Sequence, residues 1–90
     1  MTSILSKDVI IVNELGLHAR SAAKIAKLAQ NATSTVWVIR NKEKADASSI
    51  LDVLTLACSK GSKITLKVNN QSDIDILNSI VDLVEKGFEE

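Results

Sequence analysis

The 90-residue chain contains no proline and no tyrosine, and only one cysteine, one histidine, one tryptophan and one phenylalanine. A single cysteine, Cys58, excludes an intramolecular disulfide framework. A small domain without disulfides suits a reducing cytoplasm. One Cys and one His cannot make a four-ligand zinc site, so no metal is expected. Trp37 and Phe88 are the only aromatics available to stack on bases, and eleven basic residues balance eleven acidic ones. Nucleic acid is therefore the weakest of the partner classes. The N-terminal stretch "MTSILSKDVIIVNELG" has only a short apolar run, interrupted by Lys7 and Asp8. It reads as neither a signal peptide nor a membrane span, which predicts a soluble, cytoplasmic protein. The chain also lacks a P-loop, an acidic cluster for magnesium and a Ser/His/Asp set, and no cofactor is expected.

What is present is an ordinary globular composition, 46% hydrophobic and 24% charged, with no linker, repeat or low-complexity tract. Residues 1–90 fit one domain. "VIIVN" (9–13) is short and β-branched, which predicts a strand. "HARSAAKIAKLAQNA" (18–32) places apolar residues at 22, 25, 26 and 29, the stripe of an amphipathic helix. Residues 33–41 read as a second strand and 42–47 as a polar edge strand, joined by a turn at Asn41-Lys42. Residues 48–61 open on two serines suited to an N-cap and stop at Lys60-Gly61, a short helix. "SKITLKVNN" (62–70) alternates with period two. In the tail, Ile74, Leu77, Val81, Val84 and Phe88 recur at helical spacing. Ser72 is suited to cap this helix, Asp73 and Asp75 to its positive end, and Lys86-Gly87 to its close.

The order is βαββαβα, and two long helices with single apolar stripes predict a two-layer α/β sandwich with the helices on one face of the sheet. Val9, Ile11, Val36, Val38, Ile64, Leu66 and Val68 form the inward set. On the open face Lys63, Thr65 and Lys67 suit water, whereas Ile10, Val12, Trp37 and Ile39 make an apolar patch that either marks an interface or is incidental.

The lone histidine stands in "LGLHARSA" (15–22), at or just before the first turn of the first helix. There the first backbone N–H groups lack intrahelical partners and the peptide dipoles sum to a partial positive charge. A phosphoryl group near the N–H groups of Ala19, Arg20 and Ser21 meets ready donors. Arg20 adds a planar guanidinium that suits phosphoryl oxygens. His18 is a competent nucleophile. The chemistry indicated is acceptance and onward transfer of a phosphoryl group, a carrier and not a stand-alone enzyme. Taken alone, a single histidine near a helix start is most often a solvated surface residue.

At these residues the chain resembles HPr, the histidine-containing phosphocarrier of the bacterial phosphoenolpyruvate-dependent phosphotransferase system. The resemblance rests on "GLHAR" (16–20), on "SSILDVLTL" (48–56), on the element order and on the length, and it covers nearly the whole chain. It implies an open-faced sandwich with a four-stranded antiparallel sheet and three helices. It implies that His18 is phosphorylated on Nδ1 by phospho-Enzyme I and passes the group to an EIIA domain, with Arg20 beside the phosphohistidine. It also implies that Ser49 stands at the position that HPr kinase/phosphorylase modifies in some lineages.

Three departures bear on that resemblance. Ser21 stands where the family usually has proline, which predicts a looser first turn. Asp52 puts a carboxylate near Ser49, opposing a second negative charge there; a plain N-cap is the competing reading of Ser49. Leu15 stands where many relatives are polar, and is a candidate to fold over the site or to meet a partner. The resemblance further implies that Leu51 and Leu54 contribute to the apolar part of a partner-docking surface, with Ile50, Val53 and Ala57 offset from them on the short helix. Lys24, Lys27 and Lys60 are candidates for a charged rim; both leucines are equally compatible with the core. Cys58 reads as a small, partly buried hydrophobe. Two other functions stay open: a regulatory paralogue that does not serve sugar transport, and a ligand-binding or interaction domain in which His18 is incidental.

Overall fold

In a computed structural model, which describes residues 5–90, the sheet is built around the strand with the clearest alternation. Residues 1–4, part of the N-terminal stretch read above, lie outside the described residues. Strand β4 (Lys63–Lys67) lies between β1 (Ser6–Ile10) and β2 (Trp37–Arg40), and β3 (Glu43–Asp46) forms the edge beyond β2. The order is β1-β4-β2-β3 and every pairing is antiparallel. Rungs Val9↔Ile64, Val38↔Leu66 and Val38↔Ala45 put aliphatic side chains on one face. All seven residues of the expected inward set are buried.

Helices α1 (Ala19–Ala29), α2 (Ile50–Thr55) and α3 (Ile74–Glu85) complete an open-faced α+β sandwich. Helix α1 packs against both α2 and α3, which fits the small side chains Ala22, Ala26 and Ala29 on its buried stripe. Leu77, Ile80, Val81 and Val84 bring α3 onto the core, and α3 also meets β1 and β4. Phe88, just beyond α3, is among the largest fully buried side chains. Among the described residues no helix is long and apolar enough to cross a membrane.

Several boundaries differ from the sequence reading, each for a tertiary reason. The first strand is 6–10 and not 9–13. Its apparent breakers have partners: Asp8 accepts from the Thr65 hydroxyl at 2.6 Å, and the Lys7 ammonium donates to Asn78 of α3 at 2.7 Å. Helix α1 ends at Ala29, and β2 begins only at Trp37, because Thr33 and Ser34 are tied to Asp73. Strand β4 is the middle of the expected 62–70 run, and Val68 continues by donating to the Leu5 carbonyl at 2.8 Å. Helix α2 ends at Thr55 instead of running to Lys60-Gly61, since Ala57 takes φ 51° and the Arg40 guanidinium caps the Leu56 carbonyl at 2.9 Å. The turn at Asn41-Lys42 forms as expected, with φ of 49° and 72°, the doubly left-handed geometry of a tight hairpin.

The start of α3 also differs. A 3-10 turn over Gln71–Asp73 precedes the helix, and Ser72 makes no side-chain cap. Asp73 is buried, and its carboxylate accepts from Thr33 N–H at 2.8 Å, the Thr33 hydroxyl at 3.0 Å and Ser34 N–H at 3.2 Å. These bonds, led by Thr33 N–H, hold the Asp73 carboxyl below its usual range. Asp73 therefore ties the α1–β2 connection to α3. On the open face Ile10 and Val12 are exposed, Trp37 and Ile39 are half-buried, and the Lys44 ammonium sits 4.9 Å from the Trp37 ring centre.

Candidate functional site

The site is set by how the chain enters α1. Asn13 to Gly16 form a turn in which Gly16 N–H donates to the Asn13 carbonyl at 3.1 Å. Gly16 has φ +65°, and a Cβ there would lie 2.4 Å from the Cys58 carbonyl oxygen. Only glycine meets both demands. Leu17 N–H then donates to that same carbonyl at 2.8 Å, and the Leu17 side chain is buried. The loop between α2 and β4 thus fixes where the next residue, His18, must stand.

His18 is the N-cap of α1, with extended backbone at φ −118° and ψ −178°. Its Nδ1 accepts from Arg20 N–H at 3.3 Å, a long bond that points the ring nitrogen at the exposed helix start. Its own N–H donates to the Ser21 hydroxyl at 2.9 Å. That hydroxyl has one proton and two carbonyls in reach, Gly16 and His18, each at 3.1 Å. Ser21 is completely buried. It closes a reciprocal cap at the third helical position, so the first turn is tied down where the sequence predicted a looser one.

Two residues that the sequence did not single out complete the site. Glu90 Oε2 lies 2.6 Å from His18 Nε2, while its Oε1 accepts from the Asn13 amide at 2.9 Å. The same amide nitrogen donates to the Gly16 carbonyl at 2.8 Å. Asn13 first, then the His18 ring, hold the Glu90 carboxyl below its usual range. Gly87, Phe88 and Glu89 turn back with φ of 66°, 60° and 61° to deliver Glu90. Left-handed backbone costs a non-glycine residue about 1–2 kcal/mol, so something must hold this turn. Phe88 is fully buried, and its carbonyl accepts from the Lys24 ammonium at 2.6 Å. Beside the turn an open cleft of about 550 Å³ is lined by Val12, Asn13, Leu15 and Glu90. No local motif signals Glu90; Lys86-Gly87 marks only that the helix ends there.

The other expected site residues separate into distinct surroundings. Ala19 and Arg20 are exposed at the helix start. Leu15 and Leu51 are 68% and 77% exposed, whereas Leu54 is half-buried against the core. Ile50 is exposed and Val53 buried, so α2 inserts Val53 and Leu54 and presents Ile50 and Leu51. Lys27 is exposed; Lys24 is engaged by the tail, and the Lys60 ammonium pairs with Glu14 at 2.6 Å. Ser49 is the N-cap of α2, accepting from Asp52 N–H at 3.2 Å. Cys58 is fully buried, not partly, and burial pushes its thiol up. Among the described residues no group of three or more His, Cys, Asp or Glu is placed to hold a metal ion.

A family model described as "PTS HPr component phosphorylation site" matches residues 5–86. The chain is 38% identical to phosphocarrier protein HPr of Cupriavidus necator over 87 residues, 97% of this chain and 98% of that protein. It is equally 38% identical to phosphocarrier protein NPr of Shewanella violacea, covering 96% of this chain and 94% of that one. The crystal structure of HPr-C-His from Thermoanaerobacter tengcongensis superposes with a TM-score of 0.88 at 32% identity, covering 94% of this chain and 96% of that one.

Proposed function

The chain belongs to the HPr phosphocarrier family, and from that premise we propose that His18 takes a phosphoryl group from Enzyme I and passes it to an EIIA domain in the cytoplasm. The observation that carries this reading is His18 as N-cap of α1, its Nδ1 facing the Arg20 N–H at the open helix start. The Nδ1 lone pair attacks phosphorus on the donor's phosphohistidine. A new P–N bond forms, the donor's P–N bond breaks, and that electron pair stays on the donor imidazole. The reverse step, toward an acceptor on EIIA, discharges His18.

The N–H groups at the start of α1, of Ala19, Arg20 and Ser21, and the Arg20 guanidinium are disposed to take the phosphoryl oxygens. Exposed Leu15 and Leu51 supply the apolar centre of a transient docking surface, and exposed Lys27 is the candidate for its charged rim. The test is incubation with Enzyme I and labelled phosphoenolpyruvate. Acid-labile label forms on the wild type and not on His18→Ala; absence of label, or its persistence in the variant, refutes the reading.

A second reading within the same family is favoured by the match to NPr proteins of Shewanella violacea and Klebsiella oxytoca at 38% and 35% identity. In that reading the phosphorylation state serves regulation and not sugar uptake. Complementation of a strain lacking its sugar phosphocarrier separates the two. Ser49 acts as the cap of α2, and the Asp52 carboxylate one turn on opposes its modification by a kinase.

A further inference from the structure

We infer that Glu90 is a positioning residue for His18: its carboxylate, held by Asn13, accepts a hydrogen bond from Nε2–H and so leaves the Nδ1 lone pair free to act as nucleophile. The inference rests on the phosphocarrier reading and deepens it. A neutral imidazole carries one proton, and which nitrogen holds it is set by the partners of the ring. Here both partners agree. Arg20 N–H can meet only an unprotonated Nδ1, at 3.3 Å, and the Glu90 carboxylate 2.6 Å from Nε2 calls for a proton there.

The tail is built to hold this contact. Asn13 is buried and spends its amide protons on Gly16 and Glu90, which links the carboxylate to the turn that places His18. Three consecutive left-handed residues bring Glu90 back over the ring, anchored by buried Phe88 and by Lys24 on the Phe88 carbonyl. Strained backbone retained by surrounding contacts clusters at reactive sites, where it helps to position groups. Chemistry adds a second demand. When Nδ1 of the neutral ring forms its bond to phosphorus, the ring becomes positively charged while Nε2 keeps its proton. A carboxylate on Nε2 stabilises that charge as it develops, so it acts more strongly in the transition state than before it.

The experiment uses the full chain with His18 labelled with 15N, in the wild type and in Glu90→Gln, Glu90→Ala and Glu90→Asp. In the unphosphorylated wild type, proton–nitrogen correlation spectra are expected to show an Nε2–H tautomer whose proton resonates far downfield. Glu90→Gln keeps the shape and loses the charge, so that resonance moves upfield; Glu90→Ala loses it to exchange with water. In transfer from phospho-Enzyme I, kcat should fall about tenfold in Glu90→Gln with KM nearly unchanged, and Glu90→Asp should recover most of it. An unchanged Nε2 proton in Glu90→Ala, or kcat of Glu90→Gln within about twofold of wild type, overturns the inference. Failure of the wild type to take label would instead count against the phosphocarrier reading. The spectra would then still decide whether Glu90 sets the ring.

Discussion

Replacing Ser21 by alanine removes one oxygen from the centre of the His18 cap. The Gly16 carbonyl keeps the Asn13 amide at 2.8 Å, so it is not orphaned. His18 N–H loses its acceptor, the Ser21 hydroxyl at 2.9 Å, in a part-buried position. Loss of a cap costs about 1 kcal/mol, and leaving a buried donor unpaired adds about 1 kcal/mol more, for a total of about 2 kcal/mol. For a domain of this size that lowers Tm by roughly 10 °C. Ser49 supplies the comparison: its hydroxyl receives one bond, from Asp52 N–H at 3.2 Å, and is not fully buried. Ser49→Ala should therefore cost only about 0.5–1 kcal/mol. Thermal and urea unfolding of both variants, followed by circular dichroism, measures the two losses. Ser21→Pro restores the proline usual in the family but no acceptor, so it should recover only part of the loss. If Ser21→Ala melts with the wild type, or Ser49→Ala is the more damaging, the argument from the buried cap is wrong.

Two further outcomes follow from single contacts. Gly16→Ala forces a left-handed residue and a Cβ 2.4 Å from the Cys58 oxygen and 2.8 Å from Ser59 Cα, both backbone atoms. It should destabilise by about 3–5 kcal/mol in urea unfolding, and near-wild-type stability would refute the turn. Asp73, whose carboxyl is held low when folded, stabilises the fold above the carboxyl's unfolded value, and that support is lost as pH falls through the lower folded value. Asp73→Asn should be less stable at neutral pH, with the two Tm curves converging in acid. Parallel curves from neutral to acid pH would show that Asp73 does not carry this linkage.

The longer elements were legible because they rest on local periodicity. The alternation of β4 and the stripe of α3 need no partner to be read. Their ends were not, because ends are set by what the neighbouring chain offers. "VIIVN" reads as the strand, yet pairing stops at Ile10↔Lys63, because beyond Lys63 the partner chain turns away at Gly61 with φ 92°. Ile11 adds only single bonds to that turn, through Ser62 and Gly61. Likewise no residue type within 48–61 signals that α2 stops after Thr55. The stop comes from Arg40, sixteen residues before the carbonyl it caps, and from the left-handed Ala57 beside it.

The site divides along the same line. His18, Arg20 and Ser21 sit within three residues, so their helix-start geometry could be reasoned from spacing alone. Glu90 reaches His18 across 72 positions, through a left-handed turn of which only Gly87 carries a sequence signal. Ser21 shows how such distant contacts change the meaning of a local residue. Compared with proline it restores backbone freedom, and read in isolation it loosens the turn. In the fold its hydroxyl joins His18 N–H to the Gly16 carbonyl, the same carbonyl that Asn13 binds while holding Glu90. The histidine's backbone and its ring are thus tied to one polar network, from Ser21 on one side and Glu90 on the other. A proline would stiffen the helix start without joining that network. Serine consequently joins the His18 backbone to the network that also holds the tail.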